Sequence, residues 1–359
     1  MADSPAETAP TKTFRGRGAG SNPPNRFLPL AVERDAWTLE EDPDPETILL
    51  RDTTRTVLSR NDSPDVGFDV SVNPYRGCSH GCSYCYARPT HEYLGFSAGL
   101  DFETKVLVKA DAPELLRAEL LKKSWTPQPI AFSGVTDAYQ PAERRLRVTR
   151  GCMEVLAEFR NPVVVITKSH LVTRDVDLLG ELAAHDAARV MLSVTTLDRE
   201  LARKLEPRAA AADRRLDAIA KLSDAGVQVG ALVGPVIPGL TDHELPAILE
   251  AAAGAGALTA SYILLRLPHG VKELFADWLE RNFPDRKEKV LGRVREVRSG
   301  KLNDPRFRSR MRGEGAYAEH IRSMFDVARR RHGLDRPLEP LSTAAFRRPA
   351  PGGQGDLFA

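Results

Sequence analysis

An α/β fold, built on a parallel sheet whose strands are joined by crossover helices, follows from three features of the sequence. Short runs rich in Val and Ile alternate with amphipathic helical stretches about six times between residues 68 and 267. The run "PVVVITK" at 162–168 is continuously apolar and β-branched up to its last two residues, as strands covered on both faces are. Polar residues cluster where the runs end, at Ser133, Thr167, Lys168, Ser193, Thr195 and Arg266, and parallel α/β folds place their chemistry at the C-terminal ends of strands. The sheet is expected to be open or partly closed into a barrel.

The elements follow in order. "FDVSVNP" (68–74) predicts the first strand, leading into a cysteine-bearing loop. "KVLVK" (105–109) predicts a short strand and 112–123 a helix. "PIAFSG" (129–134) is the next strand, and 147–159 a helix with Val148, Cys152, Val155, Leu156 and Phe159 on one face. The strand at 162–168 precedes a helix over 175–185, and "RVMLSVTT" (189–196) a helix over 213–226 closed by Gly226. "VQVGALVGPVIPG" (227–239) is a strand, 242–256 an Asp-started helix interrupted by Pro246, and "TASYILLRL" (259–267) the last strand. Beyond residue 270 the pattern turns helical and basic. Residues 1–26 and the closing "FRRPAPGGQGDLFA" are rich in Pro, Gly and small polar residues and are expected to be disordered.

With 42% hydrophobic and 28% charged residues over 359 positions, the chain has the composition of an ordinary globular protein able to bury a core. No stretch approaches the eighteen or so apolar residues of a membrane span, and the first 26 residues lack the apolar segment of a secretory signal. A cytoplasmic protein is expected. The net charge of +2 is unevenly placed: residues 286–336 carry sixteen Lys and Arg against seven Asp and Glu, and residues 1–285 are net negative. This stretch is either a solvated basic face or a phosphate-tracking surface.

Three of the four cysteines, Cys78, Cys82 and Cys85, stand in a C-x3-C-x2-C pattern within "NPYRGCSHGCSYCYARPTHEY" (73–93). Crowded thiols in a reducing compartment point to metal or redox chemistry and not to disulfides. A closed zinc site needs a fourth ligand; Cys152 lies on an apolar helical face, and His80 and His91 are oddly spaced. A [4Fe–4S] cluster held by three cysteines would keep one iron open to an external ligand. Gly77 and Gly81 suit a loop that needs positive φ and inward-turned N–H groups, and Tyr84 could cover a ligand at the open iron. A zinc loop remains the alternative.

The loop, with "FSGVTDAYQPAE", "ITKSHLVTRD", "SVTTLD", "LEPRAAAADRRLDAI" and "PVIPGLTD" following in order, resembles the radical S-adenosylmethionine (radical SAM) superfamily, in particular the clade of spore photoproduct lyase and related uncharacterised bacterial proteins. The resemblance implies a partial (βα)6 TIM-like barrel over 27–270 with the [4Fe–4S] loop at 78–85, a basic helical C-terminal cap over 271–340, a disordered arm over 1–26 and a flexible tail over 341–359. It implies an enzyme in which Cys78, Cys82 and Cys85 bind the cluster and the open iron binds S-adenosylmethionine, whose reductive cleavage yields a 5′-deoxyadenosyl radical. An electron donor such as flavodoxin or ferredoxin goes with that chemistry. By the same resemblance Ser133 and Gly134 meet the methionine amino group, Lys168 and Ser193 help hold the cofactor, and Tyr84 supplies the aromatic ring. Glu206 and Arg208 in "LEPR" are either a substrate-facing pair or a loop ion pair. Photoproduct lyases carry a hydrogen-donating cysteine near the end of the second strand, where this chain has Phe132-Ser133-Gly134; Tyr84, Tyr86, Tyr93 and Tyr139 are substitutes among which the sequence does not choose.

The basic segment 286–336 and the clade together point to a nucleic-acid substrate and a DNA-repair-like role. "QGDLF" resembles the peptide by which bacterial repair and replication proteins dock to the sliding clamp, with Gln354, Leu357 and Phe358 as its anchors. The rival readings are a zinc-stabilised, nucleic-acid-binding adaptor without catalysis, and a radical enzyme acting on a peptide or small metabolite.

Overall fold

In a computed structural model the structure describes residues 13–28 and 44–349. Strands β1 to β10 are Ile48–Arg51, Leu58–Arg60, Val70–Val72, Tyr75–Arg76, Lys105–Val108, Ile130–Phe132, Val163–Thr167, Ala188–Ser193, Gln228–Val236 and Thr259–Leu264. Seven form one sheet in the order β10-β9-β8-β7-β6-β3-β2. Every neighbouring pair from β3 to β10 is parallel, and only β2 joins antiparallel, Leu58 opposite Val72. The parallel strands lie side by side in chain order, each joined to the next over a helical crossover. That is the sixfold alternation expected, and because the order is linear with β10 and β2 at its edges, the barrel is partial.

The crossover helices form where apolar periodicity predicts them. Val148–Phe159 buries Val148, Cys152, Val155, Leu156 and Phe159, the face read from the sequence, and Ala212–Asp224 buries Ala218, Ile219 and Leu222 against the sheet. The helix expected from Asp242 starts later: a single turn at Asp242–Glu244 precedes Leu245–Gly254, which places Pro246 in the first helical turn, where its missing N–H costs nothing. Lys105–Val108 is a strand, as expected, but lies outside the main sheet. It pairs with β1 and β4 in a three-stranded sheet beside the cysteine loop.

Both expected disordered ends need correction where they are described. Phe14 is buried, and with Ala19 it packs on Leu100 and on Leu274 of the Val271–Asn282 helix. Backbone and side-chain hydrogen bonds then hold residues 17–25 against 92–103; a segment poor in apolar residues is fixed here by its peptide groups. Near the other end, Phe346 packs on Phe159 and Arg348 donates to the Leu120 and Trp125 carbonyls. Residues 350–359, which include the clamp-like peptide at Gln354, Leu357 and Phe358, lie outside the described residues. Among the described residues no helix is long and apolar enough to cross a membrane.

Beyond β10 the chain forms the helices Val271–Asn282, Pro284–Glu296 and Ala316–Arg331. The first two bury Phe275, Trp278, Val290 and Val294 in an apolar cluster that also contains Cys82, Tyr84 and Leu240. Ala316–Arg331 instead packs Ile321 and Phe325 into the main core, with Phe325 against Tyr262 of β10.

Leu192 of β8 is fully buried in this core, whereas Leu121 is 45% exposed. Leu192→Ala should lower unfolding stability by about 2–5 kcal/mol and Leu121→Ala by less than about 0.5 kcal/mol, as measured by urea titration of the two variants.

Candidate active site

The loop carrying Cys78, Cys82 and Cys85 leaves the C-terminal side of β3, at the sheet end that also presents Ser133, Lys168 and Ser193 after β6, β7 and β8. Gly77 and Gly81 have φ of 80° and 70°, the left-handed region that a side chain would strain. A Cβ on Gly81 would also stand 2.8 Å from a carboxylate oxygen of Glu103. The Cys78 N–H donates to the Phe102 carbonyl (2.9 Å) and the Ser83 N–H to the Leu205 carbonyl (3.0 Å). Gln140 receives the Ser79 N–H at 2.9 Å while its amide donates to the Gly77 carbonyl.

Beneath the loop, Arg88 and Glu103 form a fully buried ion pair. Arg88 also donates to the carbonyls of Cys82, Ala98 and Gly99, and Glu103 accepts the N–H groups of Gly18 and Ala19. The N-terminal segment therefore crosses directly over the loop. A Cβ on Gly18 would lie 2.0 Å from the Gly81 carbonyl oxygen, so only glycine fits there. None of Gly18, Arg88 and Glu103 stands out by sequence spacing; the one signal was the glycine-rich "GRGAG".

Burial pushes all three thiols up, aided at Cys78 by Asp137 and at Cys82 by Glu206, and opposed at Cys85 by Arg88. Without a bound cation they stay protonated; a coordinated metal centre would supply the charge that turns such thiols into thiolates. The three are close enough to raise one another, yet among the described residues no three His, Cys, Asp or Glu side chains converge on a point fit for a single metal ion. The other ligands considered from the sequence are elsewhere. Cys152 is fully buried in the main core, His91 packs between Phe96 and Phe102, and His80 faces Asp137 at 3.5 Å.

A second polar cluster spans the strand ends. Lys168 Nζ sits 3.2 Å from Glu206 Oε1, donates to Thr195 Oγ1 and the Gly234 carbonyl, and lies 5.7 Å from the centre of the Tyr84 ring. Glu206 also accepts from Tyr84, Thr195 and Arg215. Burial pushes the Glu206 carboxyl up, but Arg215 and Lys168 outweigh it and hold it well below the usual carboxylate range. Of the two readings of Glu206 and Arg208, the loop ion pair is not made: the partners of Glu206 are Arg215 and Lys168, and Arg208 reaches Thr47. Arg215 had no sequence signal beyond its place on a predicted helix.

Ser133 adopts a φ of 81° and its hydroxyl accepts the Ala138 N–H. Asn73 binds the N–H groups of Gly134 and Val135, and Tyr86 donates to the Gly134 carbonyl, tying the cysteine loop to the segment after β6. Ser193 is buried, with its carbonyl held by Arg215. Of the tyrosines, Tyr84 and Tyr139 are buried, Tyr93 is 73% exposed against Phe27 away from the loop, and Tyr86 is 47% exposed.

Residues 72–252 match the family described as the radical SAM superfamily, and uncharacterized proteins of Mycobacterium bovis and Mycobacterium tuberculosis are 38% identical over 248 residues, 68% of this chain and 72% of theirs. The chain belongs to the radical SAM superfamily. It is an enzyme, which sets aside the non-catalytic adaptor, and its cofactors are those of the family, S-adenosylmethionine and a [4Fe–4S] cluster. A radical SAM Nα-GlyT isomerase of Pseudomonas phage M6 is 29% identical over 177 residues, 49% of this chain and 35% of that protein. The fold is shared with spore photoproduct lyase. One variant structure covers 86% of this chain and 85% of that one at a TM-score of 0.55 and 16% identity. Another, with a dinucleoside spore photoproduct, covers 79% and 78% at 0.51 and 17%.

Replacing Glu103 with Gln strands the Arg88 charge beneath the radical SAM loop. Glu103→Gln should cost about 3–5 kcal/mol of folding stability, measured by urea unfolding of the metal-free protein; a loss below about 0.5 kcal/mol would show that the pair does not hold the loop.

Proposed function

We propose that Cys78, Cys82 and Cys85 hold the [4Fe–4S] cluster by three of its irons, leaving the fourth for S-adenosylmethionine, and that the enzyme acts on a nucleic acid in a repair or modification reaction. The arrangement of the thiols carries the first part. Cys78 and Cys82 are buried and Cys85 is partly buried, the three are close enough to act on one another at the strand ends of a partial barrel, and the fourth cysteine is in the core. That donor set suits a multinuclear centre better than a zinc ion. When bound, the cluster supplies the electron that cleaves S-adenosylmethionine to a 5′-deoxyadenosyl radical, drawn from an external reductant of the flavodoxin or ferredoxin type.

The chain's own residues position the cofactor and shield it. We assign the Lys168 ammonium to the methionine carboxylate and the Tyr84 ring, which lies beside that ammonium, to the cofactor's cover. Ser133 and Gly134, in a segment whose N–H groups Asn73 orders, are assigned to the methionine amino group, and Ser193 to a ribose or carboxylate oxygen.

The nucleic-acid reading is supported by the charge of 286–336 and by spore photoproduct lyase, which shares the fold and has been seen with a dinucleoside photoproduct. The basic surface is narrower than the residue count implies. Arg298 is buried on the carbonyls of Leu264, Leu265 and Ser309, Arg306 pairs with Asp304 and Glu314, and Arg310 with Asp65. Repair of the spore photoproduct itself is not proposed, because Ser133 stands near the place of the lyase cysteine and Cys152 is in the core.

Oxygen-free reconstitution with iron and sulfide tests the assignment. Cys78→Ala, Cys82→Ala and Cys85→Ala should each lose cluster iron and 5′-deoxyadenosine formation with dithionite, while Cys152→Ala keeps both. A wild-type protein that takes up a single zinc, or a Cys82→Ala variant that still cleaves S-adenosylmethionine, would overturn it.

A further inference from the structure

A cavity of about 590 Å³ opens between the loop after β9 and two C-terminal helices. Gly239, Leu240, Asp242 and His243 line it from the loop. Arg286, Lys289 and Arg293 line it from Pro284–Glu296, and Tyr317, His320 and Met324 from Ala316–Arg331. Spacings of three and four residues put each set on one face of its helix, beside the faces that bury Val290, Leu291 and Val294, or Ile321 and Phe325. The volume is that of an ordinary ligand pocket.

The charge in this cleft is only partly compensated: Arg286, Lys289 and Arg293 face one carboxylate of the lining, and Arg286 also borders a smaller pocket that holds Asp198 and Glu200. The cleft's one carboxylate, Asp242, already accepts from the Tyr317 hydroxyl and the Gly239 N–H. Arg293 lies flat over the Tyr317 ring at 4.3 Å, with one nitrogen on Glu296, and so is held in place. Arg286 and Lys289 are exposed and have no ion pair among the described residues. Other exposed basic residues of the segment, such as Arg295 and Arg330, also have no ion pair among the described residues, but they do not line the cleft. Leu240, on its wall, belongs to the packed apolar cluster that also includes Cys82 and Tyr84, which places the cleft on the far side of that cluster from the cysteine loop.

We propose that this cleft binds a backbone phosphate of the nucleic-acid substrate, with Arg286 and Lys289 as its contacts and Arg293 as a fixed positive wall. The inference rests on the nucleic-acid reading above and narrows it to one site. A phosphate fits better than a side-chain carboxylate because a forked guanidinium and an ammonium, one helical turn apart, can share its several oxygens.

The test uses fluorescence anisotropy of the reconstituted holoenzyme with a labelled single-stranded oligonucleotide of mixed sequence, titrated between about 50 and about 200 mM salt. The double variant Arg286→Glu/Lys289→Glu is compared with Arg330→Glu/Arg331→Glu, an equal charge change at exposed arginines outside the cleft. Folding of each is checked by thermal unfolding. The cleft variant should bind at least about tenfold more weakly, with a salt slope shallower by about 0.7, as expected for one lost single-strand phosphate contact; the control should keep the wild-type slope. Equal losses in both variants, or a cleft variant that binds like the wild type, would overturn the site. So would displacement of the strand by polyglutamate as readily as by unlabelled oligonucleotide. A wild type with no affinity even at the lowest salt would instead overturn the nucleic-acid reading itself, and the site with it.

Discussion

The buried pairing of Arg88 with Glu103 is the constraint on which the rest of the site depends. Two charges withdrawn from water cost several kcal/mol each unless their remaining hydrogen-bonding capacity is met, and here it is. Arg88 is spent on three loop carbonyls besides its partner, and Glu103 on two backbone N–H groups of the N-terminal segment. One ion pair thus joins the cysteine loop, the Leu100–Thr104 turn of helix and residues 17–19 at a single point. The Arg281 guanidinium adds a link from the C-terminal helices to the Gly18 carbonyl at 3.3 Å. Thiols presented by such a loop have little freedom to wander, as preorganised metal ligands require.

The second network has the opposite character, because it faces the open end of the barrel. Lys168 and Thr195 come from the ends of β7 and β8, Glu206 from the end of the Arg199–Leu205 helix and Tyr84 from the cysteine loop, with Arg215 behind them. Arg215 alone would neutralise Glu206, so the Lys168 ammonium is the surplus charge in the group. A surplus cation beside an aromatic ring is what a zwitterionic amino-acid moiety needs for its carboxylate. The paired and backbone-capped arginines beyond residue 297 serve instead to close the barrel end; Arg298, which burial holds down at about 10, caps two β10-end carbonyls and one from Ser309.

Much of this was legible in the sequence, for reasons visible in particular residues. The strands at 130, 163, 188, 228 and 259 are short, largely apolar runs between helices of clear period, and that pattern points to a parallel sheet. The cysteine spacing and the glycines at 77 and 81 exposed the loop. Ile48–Arg51 and Leu58–Arg60 escaped notice because they are short edge strands whose pairing partners give them their structure. The N-terminal segment looked disordered because peptide groups, not apolar periodicity, hold it. The partners of Glu206 were illegible for a related reason: charge pairing across loops leaves no spacing signature, so nothing in the sequence singles out Arg215.

Mössbauer spectroscopy of the anaerobically reconstituted protein, with and without S-adenosylmethionine, tests the central claim most directly. The account predicts that one iron of the four changes its isomer shift when the sulfonium compound is added, while the three irons on Cys78, Cys82 and Cys85 keep theirs. A spectrum in which no iron responds, or in which all four respond alike, would contradict it.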